Sequence, residues 1–114
     1  MGEEKALLES LSMELRRGTL VLSTLSRLGE AAYGYALVQQ LEENGMPVDP
    51  NTLYPLLRRL EKQGLLQSRW ETGGAKPRKY YRRTIEGDAV YRALRHQWEE
   101  MAAGLERLLK EEER

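Results

Sequence analysis

The spacing of apolar residues changes twice along this chain, and these changes restrict its fold more than any single motif does. Up to residue 63 the leucines recur every three or four positions, which is typical of amphipathic helices. Residues 65–72 then alternate between two sets of side chains, as a strand would. After residue 84 the helical spacing returns and persists nearly to the end. The order is therefore helices, a β-segment and one long helix.

The N-terminal third is predicted to be helical. Its leucines keep helical spacing through two successive segments, and we expect the second to be capped by Ser12 and to stop at Gly29. Residues 30–32 are predicted to be a short connection. A further helix is predicted from about Tyr33 to Asn44, where an Asn-Gly pair is typical of a helix C-cap.

The clearest helix start is Asp49-Pro50, an Asx cap followed by proline at the first helical position. This helix is predicted to reach about Gln63, with a late start or a bend near Pro55. Its buried stripe is predicted to be Leu53, Leu56, Leu57 and Leu60. The opposite face has residues at steps of four, three and four, namely Asn51, Pro55, Arg58 and Lys62.

Residues 65–72 and 78–84 are predicted to pair as a β-hairpin around a Gly-Gly-Ala-Lys-Pro turn with a basic tip. Thr84 can cap the last helix, whose apolar positions approach a coiled-coil seam: Val90, Leu94, Trp98, Met101, Leu105 and Leu108. The predicted fold class is mostly α with a small β-hairpin, a winged helix-turn-helix with a long C-terminal dimerisation helix. We divide the chain into a winged-helix DNA-binding unit with an N-terminal helix, 1–84, and a dimerisation helix, 85–114.

The formal net charge is zero, but the charge is unevenly distributed. Residues 1–49 carry eight acidic and four basic side chains, and residues 85–114 carry eight acidic and five basic ones. Residues 50–84 carry two acidic and nine basic side chains. Local charge determines affinity for phosphate, so this third favours a nucleic-acid partner. From charge alone, an ordinary solvated basic face explains the pattern equally well.

The order of helices and hairpin decides between these interpretations. In a winged helix-turn-helix the helix before the hairpin enters the major groove, and the hairpin reaches the neighbouring backbone or minor groove. Asn and Arg make bidentate contacts to base edges. Tyr33 and Tyr35 are candidates for phosphate contacts, although core packing of one of them is an equal alternative. The predicted DNA-binding set is Tyr33, Tyr35, Asn51, Thr52, Tyr54, Arg58, Lys62, Lys76, Arg78 and Lys79.

The apolar seam of the last helix predicts a homodimer, because a chain of 114 residues offers it too little surface of its own. The predicted interface comprises Leu7, Leu8, Leu11, Leu94, Trp98, Met101, Leu105 and Leu108. Two Trp98 indoles across a two-fold axis would form a flat slot for a planar aromatic or phenolic effector, with Met101 as an adaptable wall. The alternative is that Trp98 only fills the interface.

The sequence also resembles the short subgroup of PadR-type transcriptional regulators from about Met13 to Leu109. The matching stretches are Glu14-Leu15-Arg16-Arg17-Gly18-Thr19-Leu20, Tyr33-Gly34-Tyr35, Thr52-Leu53-Tyr54-Pro55, Arg59-Leu60-Glu61, Lys62-Gln63-Gly64-Leu65, Pro77-Arg78-Lys79-Tyr80-Tyr81, and Thr84 with Gly87. The resemblance implies a dimeric winged-helix regulator, often a repressor, whose last helix pairs with its twin. It also implies release from DNA by a small aromatic or amphipathic molecule, as in many members of the family.

The chain departs from the family pattern at three positions. Ala36 replaces a usually acidic residue, and Ala75 replaces a glycine of the wing. Arg83 stands where an apolar residue is common, and we expect its stem to lie on the core with its charged head in water.

Other functional classes find little support in the sequence. His96 is the single histidine and there is no cysteine, so an enzyme is not expected, nor a metal or other cofactor. No signal peptide or membrane-spanning run is seen, and the cytoplasm is the expected location. The remaining alternative is a winged-helix module that binds another protein and not DNA.

Overall fold

A computed structural model describes residues 2–112, so that residue 1 and residues 113–114, the outer ends of the two predicted units, lie outside it. The elements in chain order are α1 (Gly2–Arg17), α2 (Leu20–Ser26), β1 (Ala32–Tyr33), α3 (Gly34–Glu43), α4 (Pro50–Lys62), β2 (Leu66–Glu71), β3 (Arg78–Arg83) and α5 (Ile85–Glu112). The predicted fold class, mostly helical with a winged hairpin and a long last helix, is confirmed.

The N-terminal third divides at a different place from the one predicted. Ser12 lies inside α1, and the break falls at Gly18-Thr19. There both the backbone N–H and the hydroxyl of Thr19 donate to the carbonyl of Arg16, at 3.0 and 2.8 Å. The next turn begins when Ser23 N–H donates to the Thr19 carbonyl. α2 then ends at Ser26, three residues before the predicted stop.

The β-structure is larger than a hairpin, because the predicted connection at residues 30–32 includes the start of a strand. β1 pairs antiparallel with β3, which also pairs with β2, giving the order β1-β3-β2. A two-residue strand carries almost no periodic signal, which is why the sequence pattern missed it.

The core is built from leucine stripes on α2, α3 and α4 that pack against the inner face of the sheet. Its buried members are Leu25, Leu28, Leu37, Leu41, Leu53, Leu56, Leu57, Leu60, Leu66 and Tyr81. The predicted stripe of α4 is therefore confirmed in full. α4 starts at Pro50 and continues through Pro55. Beyond its end, Gly64 has φ +83°, a conformation that side-chain-bearing residues rarely adopt.

Arg83 corrects the expectation of a charged head in water. Its side chain is only 15% exposed. Its guanidinium donates to the carbonyl of Leu25 at 2.6 Å and to the carboxylate of Asp88 at 2.8 Å. The pairing of Leu66 with Arg83 therefore turns the arginine inward, where these two acceptors provide the partners that it needs.

Within residues 2–112, no helix is long and apolar enough to cross a membrane. The same residues hold no group of three or more His, Cys, Asp or Glu side chains placed to bind a metal ion.

Candidate nucleic-acid interface

The first turn of α4 is fixed by its cap. The Asp49 carboxylate accepts a hydrogen bond from the N–H of Asn51 at 2.8 Å, and the Asp49 carbonyl accepts from the N–H of Thr52 at 2.8 Å. The cap satisfies N–H groups that a helix start leaves unpaired. Asn51 and Thr52 are thus held on a rigid first turn with exposed side chains.

One side of α4 is open to solvent along its whole length. Its four leucines face the core, so Asn51, Arg58 and Lys62 lie on the exposed side. Among the residues that the structure describes, neither Arg58 nor Lys62 forms a salt bridge. These cations are therefore available to a ligand outside the chain.

Tyr54 combines exposure with packing. About a third of the residue is exposed, yet its ring lies tightly against Gly34 at the start of α3. A Cβ placed on Gly34 would come within 2.1 Å of the Tyr54 Cε1 atom. The Tyr-Gly-Tyr and Thr-Leu-Tyr-Pro stretches of the sequence therefore meet here, and the contact sets how closely α3 approaches α4.

The wing presents its cations in two different settings. Lys76 is exposed in the loop between β2 and β3. Arg78 begins β3 directly after this loop, with its guanidinium carbon 4.5 Å from the centre of the Tyr33 ring, a cation–π contact. Tyr33 in turn meets Tyr80 edge to face at a centroid distance of 5.4 Å. Tyr33 is thus partly buried in packing, whereas Tyr35 is largely exposed.

Lys79 is directed toward α4 by an ion pair. Its ammonium lies 3.4 Å from the Glu61 carboxylate. Burial by itself lowers the pKa of the Lys79 ammonium, but the neighbouring Tyr81 and Glu61 side chains outweigh it and raise that pKa above its ordinary value. Lys79 is therefore cationic at neutral pH, with part of its charge already balanced.

Glu61 is a residue of this site that the sequence analysis did not assign. Besides its ion pair with Lys79, its carboxylate accepts a hydrogen bond from the Ser68 hydroxyl. It links α4 to both strands of the wing. Ser68 is the sequence feature that could have indicated this role of Glu61. It is a polar residue on the same face of β2 as Leu66, and it needs a hydrogen-bond partner from the helix packed on that face.

The apolar residues predicted to form the dimer interface are exposed, with one exception. Leu94 packs against the core of its own chain. The others lie on the surface of α1 or on the part of α5 beyond Leu94, namely Leu7, Leu8, Leu11, Trp98, Met101, Leu105 and Leu108. α1 buries none of its residues. Within the part of the chain that the structure describes, the apolar faces of α1 and of α5 beyond Leu94 are therefore largely exposed.

Comparison with known proteins agrees with this architecture. Residues 21–93 match the model of the transcriptional regulator PadR-like family. A protein of Mycobacterium tuberculosis described as "Transcriptional regulator Rv3488" is 37% identical over 90 residues, covering 78% of this chain and 84% of that protein.

Solved structures are similar over nearly the whole chain. The crystal structure of a PadR family transcriptional regulator from Eggerthella lenta is 53% identical, with a TM-score of 0.89, and the match covers 96% of this chain and 97% of that one. A PadR-like transcriptional regulator from Bacillus cereus is 27% identical with a TM-score of 0.77, covering 84% of this chain and 96% of that one. These relatives are described as transcriptional regulators, in agreement with the prediction that the chain is not an enzyme. The chain belongs to the PadR-like family of transcriptional regulators.

Proposed function

We propose that this regulator binds operator DNA as a homodimer, with α4 of each protomer in a major groove and each wing on the adjacent backbone. The observation that carries the proposal is the open side of α4, where Asn51 and Arg58 stand exposed opposite a fully buried leucine stripe. Both residue types read base edges through paired hydrogen bonds. A two-fold dimer predicts a pseudo-palindromic site with half-sites about 10 bp apart, or a multiple of that.

The residues divide into two roles. Asn51, Thr52, Tyr54 and Arg58 read bases, because they lie along one exposed helix side that fits a groove. Contacts to the DNA backbone come from Lys62 on α4 and from Lys76, Arg78 and Lys79 on the wing. The hydroxyls of Tyr33 and Tyr35 donate further hydrogen bonds to the phosphates. Lys79 contributes less than Lys76, since Glu61 already neutralises part of its charge.

Dimerisation is proposed through the two uncovered apolar faces. The distal half of α5 pairs with its twin through Trp98, Met101, Leu105 and Leu108, and α1 packs on the partner through Leu7, Leu8 and Leu11. Burying one such side chain contributes roughly 1.5–3 kcal/mol, which is why exposed stripes of this length mark an interface.

We further propose that the protein is a repressor released by a small planar molecule bound between the two Trp98 indoles. Trp98 is 47% exposed and Met101 70%, so both have surface to offer a ligand. A planar ligand there alters the angle between the last helices and shifts the population that is competent to bind DNA. In a Trp70→Phe variant the remaining tryptophan fluorescence belongs to Trp98. Titration with planar aromatic cations and phenolic acids should quench it and release the operator.

A footprint on the DNA beside its own gene, followed by salt-dependent gel shifts, tests DNA binding. Arg58→Ala should relax base preference at one position of each half-site. Lys76→Ala should weaken binding to all sequences alike and reduce the salt slope by about one unit. Arg92→Ala, an exposed change on α5, is the matched control. Absence of any salt-sensitive DNA complex would instead favour the protein-interaction module.

A further inference from the structure

Several hydrogen bonds hold the junction between the wing and the last helix in place. A single residue, Thr84, separates β3 from α5. Its hydroxyl accepts from the N–H of Gly87 at 2.9 Å and donates to the carbonyl of Gly64 at 2.7 Å, while its N–H donates to the Leu65 carbonyl at 3.1 Å. The first turn of α5 is thereby attached to the segment joining α4 to β2.

Gly87 makes this attachment close. A Cβ at Gly87 would lie 2.0 Å from the carbonyl oxygen of Leu65, so only glycine permits the present approach of helix and loop. The contact holds one point of the first turn of α5. Tyr91 and Leu94 of α5 also pack against the core, so the direction of the helix depends on contacts that extend over its first three turns.

Arg83 adds hydrogen bonds with defined directions to this packing. Its N–H donates to the carbonyl of Leu28 at 2.8 Å, and its guanidinium donates to the carbonyl of Leu25 at 2.6 Å. Both carbonyls lie at or just beyond the end of α2. The same guanidinium donates to Asp88 of α5 at 2.8 Å and lies over the ring of Tyr91, 4.3 Å from its centre. One side chain therefore joins α2 to the first two turns of α5.

The direction of α5 matters because the rest of the helix is a long arm. Leu94 is the last residue that packs against the core, and residues 95–112 extend beyond it. At 1.5 Å per residue this arm is about 27 Å long, so a 10° change at its base moves its far end by about 5 Å. In a dimer joined through these arms, the same rotation changes the separation of the two α4 helices.

We propose that Arg83 is a positioning residue that sets the angle between the winged unit and α5, and through it the half-site spacing that the dimer accepts. The proposal rests on the proposed dimeric DNA binding. Arg83 does not need to touch DNA, because its contacts all lie within the junction.

The chemistry of arginine suits this role better than a stabilising one. A partly buried ion pair contributes little net stability because desolvation offsets its attraction, whereas its geometry is specific. The planar guanidinium holds several donors in fixed directions, so it can bind Leu25 and Asp88 together. Lysine, with one compact ammonium, cannot reproduce that arrangement.

The experiment compares Arg83→Met with Arg82→Met, its exposed neighbour on the same strand. Since the chain has no cysteine, Ala75→Cys in the wing loop can be spin-labelled cleanly. Pulsed electron paramagnetic resonance then measures the distance between the two wings of a dimer without DNA. We expect a narrow distribution in the parent and in Arg82→Met, and a clearly broader one in Arg83→Met, measured well below the melting temperature of each variant.

Operators whose half-site spacing is changed by one base pair give the functional readout. The parent should discriminate against them by about tenfold or more, and Arg83→Met should lose most of that discrimination. Asp88→Asn, which keeps the arginine, should give a smaller change in both measurements and serves if Arg83→Met does not fold. Unchanged distances and unchanged spacing preference in a folded variant would overturn the proposal. Failure of the parent to bind any DNA would instead refute the proposed function, with the distance measurement still testing Arg83.

Discussion

α4 and α5 carry similar apolar spacing but different burial. The four leucines of the α4 stripe are at most 6% exposed, whereas Trp98, Met101, Leu105 and Leu108 on α5 are between 47% and 70% exposed. α4 lies against α3 and β2, while among the described residues none of α5 beyond Leu94 packs against the core. The same pattern thus serves folding in one helix and, as we propose, assembly in the other.

Among the substitutions that distinguish the role of α5 from that of α4, Leu105→Glu is expected to have the largest effect. In a dimer the change occurs twice, and it replaces two leucines that the proposed interface buries, each contributing roughly 1.5–3 kcal/mol, with charges that resist burial. We expect dimerisation to be lost at micromolar concentration, as measured by light scattering, and operator binding to be lost with it.

Glu106→Ala is the control for Leu105→Glu, because it alters charge at the next position on a polar side of α5. It should leave the mass of the dimer unchanged. A parent protein with the mass of a monomer, or a dimeric Leu105→Glu variant, would contradict the assignment of this seam to assembly.

The next largest effect is expected from Leu57→Ala on α4. Leu57 is fully buried, and truncating a buried leucine costs about 2–5 kcal/mol through lost burial and the cavity that remains. Urea unfolding should show this loss in the free energy of unfolding, while the folded fraction retains the mass of a dimer. A loss below 1 kcal/mol would mean that the α4 stripe is less tightly packed than described.

The sequence predicted the elements that have strong periodicity. The leucine stripe of α4, the wing and the long last helix follow from spacing alone, and Asp49-Pro50 marked the start of α4 correctly. The short strand β1 and the break at Gly18-Thr19 were missed because they depend on local hydrogen bonds and on pairing with a distant strand. Such features leave no repeating signal in one sequence.

The exposed residues of the candidate site could be predicted from the sequence, whereas the ion pairs and hydrogen bonds within the chain could not. Exposure of Asn51 and Arg58 follows from the helical repeat once the leucine stripe is known. The ion pair of Lys79 with Glu61 and the position of Arg83 between Leu25 and Asp88 depend on three-dimensional packing. A charged side chain predicted to reach into water can instead be bound inside, and only the fold distinguishes the two outcomes.

A smaller effect is expected from Leu8→Ala on α1. α1 buries nothing within its own chain, so truncation should leave the stability of an isolated protomer nearly unchanged. If α1 packs on the partner, the dissociation constant of the dimer should rise by about tenfold or more, as expected for a loss of roughly 1.5 kcal/mol. Sedimentation at several concentrations measures it, with Glu9→Ala as the neighbouring control. An unchanged dissociation constant would restrict the interface to α5.

The smallest effect, and the one gain in stability, is expected from Thr24→Val on α2. Thr24 is completely buried, and its hydroxyl oxygen has no hydrogen-bond partner among residues 2–112. An unpaired buried hydroxyl carries a desolvation cost, and valine keeps the shape while removing the polar atom. We expect about 1 kcal/mol of added stability in urea unfolding, with no change in dimerisation. Thr24→Ser keeps the hydroxyl, removes the methyl group and should lose stability. If valine proved the less stable of the two, the hydroxyl must have a bonding partner in solution, and the interior of the winged unit would be less purely apolar than that of the proposed α5 interface.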